Sequence, residues 1–72
     1  MADSKILMKF GDRVRELREE AGWSQDELAA KCKLHRTYMG GIERGERNLG
    51  LKNVAKIAKA LKISIADLMK GV

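Results

Sequence analysis

Residues 24–44, SQDELAAKCKLHRTYMGGIER, decide the fold of this chain. Ser24 and Glu27 have the S-x-x-E spacing of a capping box, in which each side chain satisfies the other residue's backbone N–H. Trp23 and Leu28 flank that cap at the two positions of a hydrophobic staple. A helix therefore starts at Gln25. It ends near Cys32 or Lys33, because Leu34 and His35 must turn the chain before a second helix, from about Arg36 to Arg44, that Gly45 closes. Leu28, Cys32, Leu34, Met39 and Ile42, with the small Ala29, are spaced so that the two helices cross closely and bury a shared side. One flank of the second helix stays free, with Arg36, Thr37 and Tyr38 at its leading end.

On the N-terminal side, Ile6, Phe10, Val14, Leu17 and Ala21 fall in steps of fours and threes and mark one face of a helix that Gly22 ends. Met1 to Lys5 show no periodicity and are expected to be a frayed end, so that residues 6–72 form the domain. On the C-terminal side a polar loop, Glu46 to Gly50, precedes a fourth helix. Leu51, Val54, Ala55, Ala58 and Leu61 are its expected buried stripe, and Lys52, Lys56 and Lys59 line its other side. Ser64, with Asp67 three residues on, starts a short fifth helix containing Ile65, Leu68 and Met69. The pattern predicts an all-α, compact five-helix domain without internal repeats.

The whole-chain numbers narrow the function classes. A chain of 72 residues makes one small domain, burying only about 60% of the surface its unfolded form exposes. Cys32 is the single cysteine, so neither an intrachain disulfide nor a zinc site of cysteine pairs is available, and a reducing, cytoplasmic setting is expected. There is no proline, no apolar run approaches a membrane span, and Ile6-Leu7-Met8 is interrupted at once by Lys9, against a signal peptide. A net charge of +5 and a pI near 9.7 suit a polyanionic partner. A membrane surface is the poorer candidate, since the lysines of the fourth helix have no interleaved aromatics. Catalysis is not expected. His35 is the one histidine, with no second ligand or nucleophile at a suggestive spacing; the ten carboxylates are scattered among bases, and no Gly-rich loop follows a strand. His35 reads as a turn residue and Cys32 as a small core residue. No metal or cofactor is implied.

The helix pair makes joint physical sense as a reader of duplex DNA. A helix entering the major groove presents its N-terminal residues to base edges, while the preceding helix braces it against the sugar–phosphate chain. Arg36 can donate two hydrogen bonds to guanine, and Thr37 can bond a base or pack against a thymine methyl. Gln25, at the start of the first helix of the pair, can hold a phosphate together with free backbone N–H groups. Arg44, Arg47 and Asn48 stand where further phosphate contacts are available. Gly40 and Gly41 each cost about 1 kcal/mol relative to alanine inside a helix. Either they let the helix backbone approach the groove, or they serve close packing against a neighbouring helix.

Residues 25–44 resemble the helix-turn-helix of the phage-repressor family (Cro/C1 type, also called XRE). The matching positions are Leu17-Arg18, Trp23-Ser24-Gln25, Leu28-Ala29, Leu34, Met39, Ile42-Glu43, Gly45 and the pattern from Leu51 to Leu68. The run from Arg36 to Asn48 is particularly similar to the controller proteins that regulate restriction–modification genes. The resemblance implies base reading by Arg36 and Thr37, backbone contacts from Gln25, Tyr38, Arg47 and Asn48, and a buried pair between Arg18 and Glu43. It also implies a homodimer on a palindromic operator, repressing or activating transcription, with RNA polymerase as the further partner. Lys33 stands where the turn usually has glycine or asparagine, Gly40 where serine is common, and His35 where a capping Ser, Thr or Asp is usual. Ile65, Leu68 and Met69 offer more apolar surface than a short helix needs, and are the expected dimer surface. The rival reading from another class is an antitoxin-type regulator whose main task is to bind a partner protein.

Overall fold

Five helices account for the regular structure of residues 2–72, the part of the chain that the computed structural model describes, with side chains from Lys5 onward: α1 (Ala2–Glu20), α2 (Gln25–Cys32), α3 (Arg36–Glu43), α4 (Leu51–Leu61) and α5 (Ile65–Leu68). Met1, part of the expected frayed end, lies outside the described residues; residues 2–5 stand in the first turns of α1. A nucleated helix gains one hydrogen bond for each residue added, and no glycine or proline stops it there. Apolar periodicity reports burial only, and so marked the helix from Ile6.

Local chemistry sets the helix ends. At α2 the capping box is complete: the Ser24 hydroxyl accepts from the Glu27 N–H at 3.1 Å, and the Glu27 carboxylate accepts from the Ser24 N–H at 2.9 Å. The Ser24 backbone N–H, followed by its hydroxyl, holds the Glu27 carboxyl below the usual carboxylate range. Its contribution to stability is therefore present above the unfolded-state pKa and lost as pH falls through the lowered one. Replacing Ser24 with alanine should cost about 1 kcal/mol at neutral pH. In thermal melts, the gap between Ser24→Ala and wild type should narrow as the solution is acidified. α2 and α4 both end on a lysine in the left-handed region, Lys33 at φ 57° and Lys62 at φ 59°. The next N–H reaches back in each case, Leu34 to the Ala29 carbonyl at 2.9 Å and Ile63 to the Ala58 carbonyl at 3.0 Å.

All five helices feed one core: Phe10 and Val14, then Leu28, Ala29 and Cys32, then Met39 and Ile42, then Ile57 and Ala58, and finally Leu68. α3 packs on both α1 and α2, and α2 packs on α4. α1 and α3 approach closely at Gly11, where a Cβ would collide with the Ile42 carbonyl oxygen and stand 2.7 Å from that of Glu43. Arg13 reaches across from α1 to the Asp67 carbonyl on α5 at 2.8 Å.

Several expected core positions differ. Ile6, near the start of α1, and Ala21, in the turn just past its end, are exposed. On α4, Leu51 is 77% exposed and Ala55 is exposed, whereas Ile57, absent from the expected stripe, is fully buried. The buried line of α4 runs through Val54, Ile57, Ala58 and Leu61, a helical face rotated from the one that Leu51 and Ala55 suggest. Leu68, expected at a dimer surface, is fully buried in the core; α5 is a single turn and needs that leucine to anchor it.

Candidate nucleic-acid interface

The support beneath α3 is an ionic cluster centred on Glu43, whose side chain is 1% exposed. Arg18 of α1 grips it with two bonds, Nε to Oε2 at 2.7 Å and Nη2 to Oε1 at 3.1 Å, and donates Nη1 to the Trp23 carbonyl at 2.8 Å. The hydrogen bond to Glu43 raises the Arg18 pKa against the opposing effect of burial, so the guanidinium stays charged. Gln25 Nε2 donates to the same Oε1 at 2.9 Å, and Arg15 Nη2 donates to the Glu43 carbonyl at 3.1 Å. One carboxylate thus joins α1, the start of α2 and the end of α3. The Arg18–Glu43 pair is formed as the resemblance implies. The Gln25 amide is turned to this cluster, and its backbone N–H remains at the open N-terminus of α2.

On the outer flank of α3, Arg36 and Thr37 are exposed at its first turn. His35 takes the N-cap position without a side-chain hydrogen bond, so no side chain caps the first N–H groups of α3, which carry the positive end of the helix dipole. Arg36 Nε lies 3.1 Å from Asp26 Oδ1, with both side chains mostly in water. A pair so exposed is worth little, and the arginine can exchange it for a base edge.

The two glycines of α3 do not present bare backbone. A Cβ on Gly40 would stand 3.1 Å from Arg44 Nη1 and 3.2 Å from Arg36 Nη1; one on Gly41 would stand 3.0 Å from Arg47 Cγ. Both backbones are buried, and what covers them is arginine. In the DNA-free fold they make room for cationic side chains to lie across the helix. Arg47 uses that room, and its guanidinium comes 5.6 Å from the Tyr38 ring centroid, within cation–π range. Tyr38 is itself fixed to α4, its hydroxyl accepting from Asn53 Nδ2 at 3.2 Å. Arg44 pairs with Glu46 at 3.0 Å, and the shared hydrogen bond raises the arginine pKa and lowers that of the carboxylate. Asn48 is exposed on the loop beyond.

Arg36, Thr37, Arg44 and Arg47 are therefore gathered on or beside α3, with Asn48 following. Asp26, Glu46 and Asn53, which tether three of the expected ligands, were missed from the sequence. Glu46, two residues from Arg44, gave a usable hint; Asp26 and Asn53 lie on other helices and gave none. Among the described residues there is no grouping of His, Cys, Asp and Glu able to hold a metal ion, and no helix long and apolar enough to cross a membrane.

The helix-turn-helix family profile matches residues 14–68. The control protein C.BamHI of Bacillus amyloliquefaciens is 46% identical over 67 residues, covering 92% of this chain and 83% of that one. The crystal structure of the restriction–modification controller protein C.AhdI from Aeromonas hydrophila superposes with a TM-score of 0.84 at 52% identity, over 86% of this chain and 94% of the other. The controller protein C.Esp1396I, solved as a tetramer with its natural 35 base-pair operator, gives a TM-score of 0.83 at 38% identity, over 90% of this chain and 86% of the other. With its buried Arg18–Glu43 brace under an exposed Arg36–Thr37 edge, this chain belongs to the helix-turn-helix transcription regulators of the Cro/C1 (XRE) type, among the restriction–modification control proteins.

Proposed function

We propose that the chain is a restriction–modification control protein that binds a palindromic operator as a homodimer, in the cytoplasm, and acts on transcription there with RNA polymerase as its further partner. The observation that carries this reading is the Arg36–Thr37 edge, exposed at an uncapped helix N-terminus and held in place from behind by the Glu43 cluster. Arg36 and Thr37 read bases. Arg47, Arg44, Tyr38 and Asn48, with the backbone N–H of Gln25, hold the phosphates, and Gly40 and Gly41 serve the site by admitting the arginines. C.Esp1396I is solved as a tetramer with its operator, and C.BamHI, to which this chain is similar, is a control protein, which favours the regulator over the antitoxin reading.

A second copy is the occupant that suits the apolar side of the molecule. Ile65 and Met69 are exposed at 41% and 36%, and Met69 borders a groove of about 170 Å³ whose lining includes Ile6, Leu7, Phe10 and Val54. Two copies joined across that side give the two-fold symmetry a palindrome requires, with half-sites about 34–36 Å apart or a multiple of that. Analytical ultracentrifugation should show a dimer that Ile65→Glu with Met69→Glu converts to monomer.

Two substitutions test the DNA edge. Arg36→Ala should cost about 1–3 kcal/mol on the operator and relax the preference at one base position. Arg47→Ala should weaken binding to all sequences alike and reduce the slope of log K against log salt by about one. Selection of bound sequences from random duplexes reads out both changes. Wild-type behaviour in both variants would remove the edge from the DNA interface.

A further inference from the structure

On the side of the fold formed by the C-terminal halves of α2 and α4 lies a trough of about 440 Å³ lined by Lys31, Lys33, Lys56, Lys59 and Lys62, with Cys32 and Ala60 at its apolar floor. Nothing in the operator-binding reading uses it. None of the five lysines forms an ion pair among the described residues, where every ion pair is made by arginine. Lys31 alone has an aromatic partner, its ammonium lying 4.6 Å from the Trp23 ring centroid. The chain has 15 basic and 10 acidic residues, so these five lysines equal its whole excess positive charge, and the ten other basic residues balance the ten acidic ones.

Two of the five stand where lysine is conformationally costly. Lys33 and Lys62 are the left-handed C-caps of α2 and α4, a position that glycine takes without strain. Complementing the negative ends of two helix dipoles accounts for Lys31 and Lys59, in the last turns. It does not require the strained cap residue itself to be lysine, twice, at the rim of one trough.

We infer that the trough docks an acidic amphipathic helix of another protein. Lys56 and Lys59 stand three residues apart on α4, which places their Cβ atoms about 5–6 Å apart, the spacing at which Asp and Glu recur on one face of a helix, and Lys62 follows at the C-cap. An apolar side chain between those carboxylates would rest on Cys32 and Ala60. A DNA backbone offers carboxylate-like charge but nothing for that floor. The trough also lies at the opposite end of α2 from Gln25 and its contact with Glu43, roughly 12 Å along an eight-residue helix. Helix-in-groove recognition by charge and one apolar anchor is what the surface offers.

The test uses the full chain and a fluorescent peptide of roughly 16 residues, with glutamates at i, i+3 and i+4 spacing around one leucine, beside a scrambled isomer of the same composition. Fluorescence anisotropy should show the patterned peptide binding about tenfold more tightly than the scramble. Lys56→Glu with Lys59→Glu should weaken it by at least about tenfold, and Lys70→Ala, a charge removed elsewhere, should leave it unchanged. Lys33→Gly with Lys62→Gly keeps the result clear of misfolding: it should weaken peptide binding about fivefold while Tm rises, because the strained caps are relieved. Operator affinity, measured in parallel, should be the same for Lys33→Gly with Lys62→Gly as for wild type. Equal binding of the two peptides, or unchanged peptide binding in the lysine variants, overturns the proposal. So does a loss of operator affinity with a shallower salt slope, which would assign the trough to DNA.

Discussion

Replacing Arg18 with alanine is expected to cost about 3–5 kcal/mol, because it strands a carboxylate that the fold has taken almost completely out of water. Glu43 would lose the bonds at 2.7 and 3.1 Å and keep only the Gln25 amide and an Arg15 guanidinium 3.9 Å away. The Trp23 carbonyl would lose its donor at the same stroke. Small domains have total stabilities at the low end of about 5–15 kcal/mol, so this variant should keep only about 0–2 kcal/mol. Urea denaturation followed by circular dichroism measures it. Arg18→Met combined with Glu43→Leu should recover most of the loss, since an apolar pair of similar volume removes the buried charge rather than orphaning it. A double variant no more stable than Arg18→Ala would mean that the damage lies in packing and not in the stranded charge.

Gly11→Ala is expected to destabilise by about 3 kcal/mol, in the range for overpacking a tight contact. The sign makes the prediction sharp. In an exposed helix the same change would stabilise by about 1 kcal/mol. Here the new methyl meets two carbonyls of α3, those of Ile42 and Glu43, and backbone cannot rotate aside as a side-chain tip can. α1 would have to lift off α3, loosening Arg18 from Glu43 as it did so. A drop in the urea midpoint with an unchanged m-value is the expected signature; a stabilised variant would show that the two helices do not cross so closely.

The parts of the fold legible in the sequence are those decided by neighbours in the chain. Ser24 and Glu27 announce the start of α2 because a capping box is closed within four residues. Leu28, Cys32, Met39 and Ile42 announce the α2–α3 crossing because both helices are short and strongly patterned. What failed depended on distant residues. Leu51 and Ile57 are equally apolar as letters, and only the placement of α4 over α2 decides that one is bare and the other buried. Gly11 carries no signal of its own in the sequence, because its reason sits on α3. The Arg18–Glu43 pair spans 25 residues and came from family resemblance, not from spacing. In the candidate site, Arg36 and Thr37 were readable as the first exposed turn of a patterned helix. The cover over Gly40 and Gly41 was not, since it comes partly from Arg47, folding back from beyond the helix.

Cys32 gives the molecule a built-in gauge of its own opening. Cys32 is 3% exposed, burial pushes its thiol pKa up, and no second cysteine competes for a reagent. A water-soluble alkylating agent attacks the thiolate, so labelling is slow while Cys32 is held in the floor of the trough between α2 and α4 and speeds up as the two helices part. The rate of labelling under fully native conditions therefore tracks that opening, and an operator duplex that stabilises the closed form should slow that clock in proportion to its occupancy.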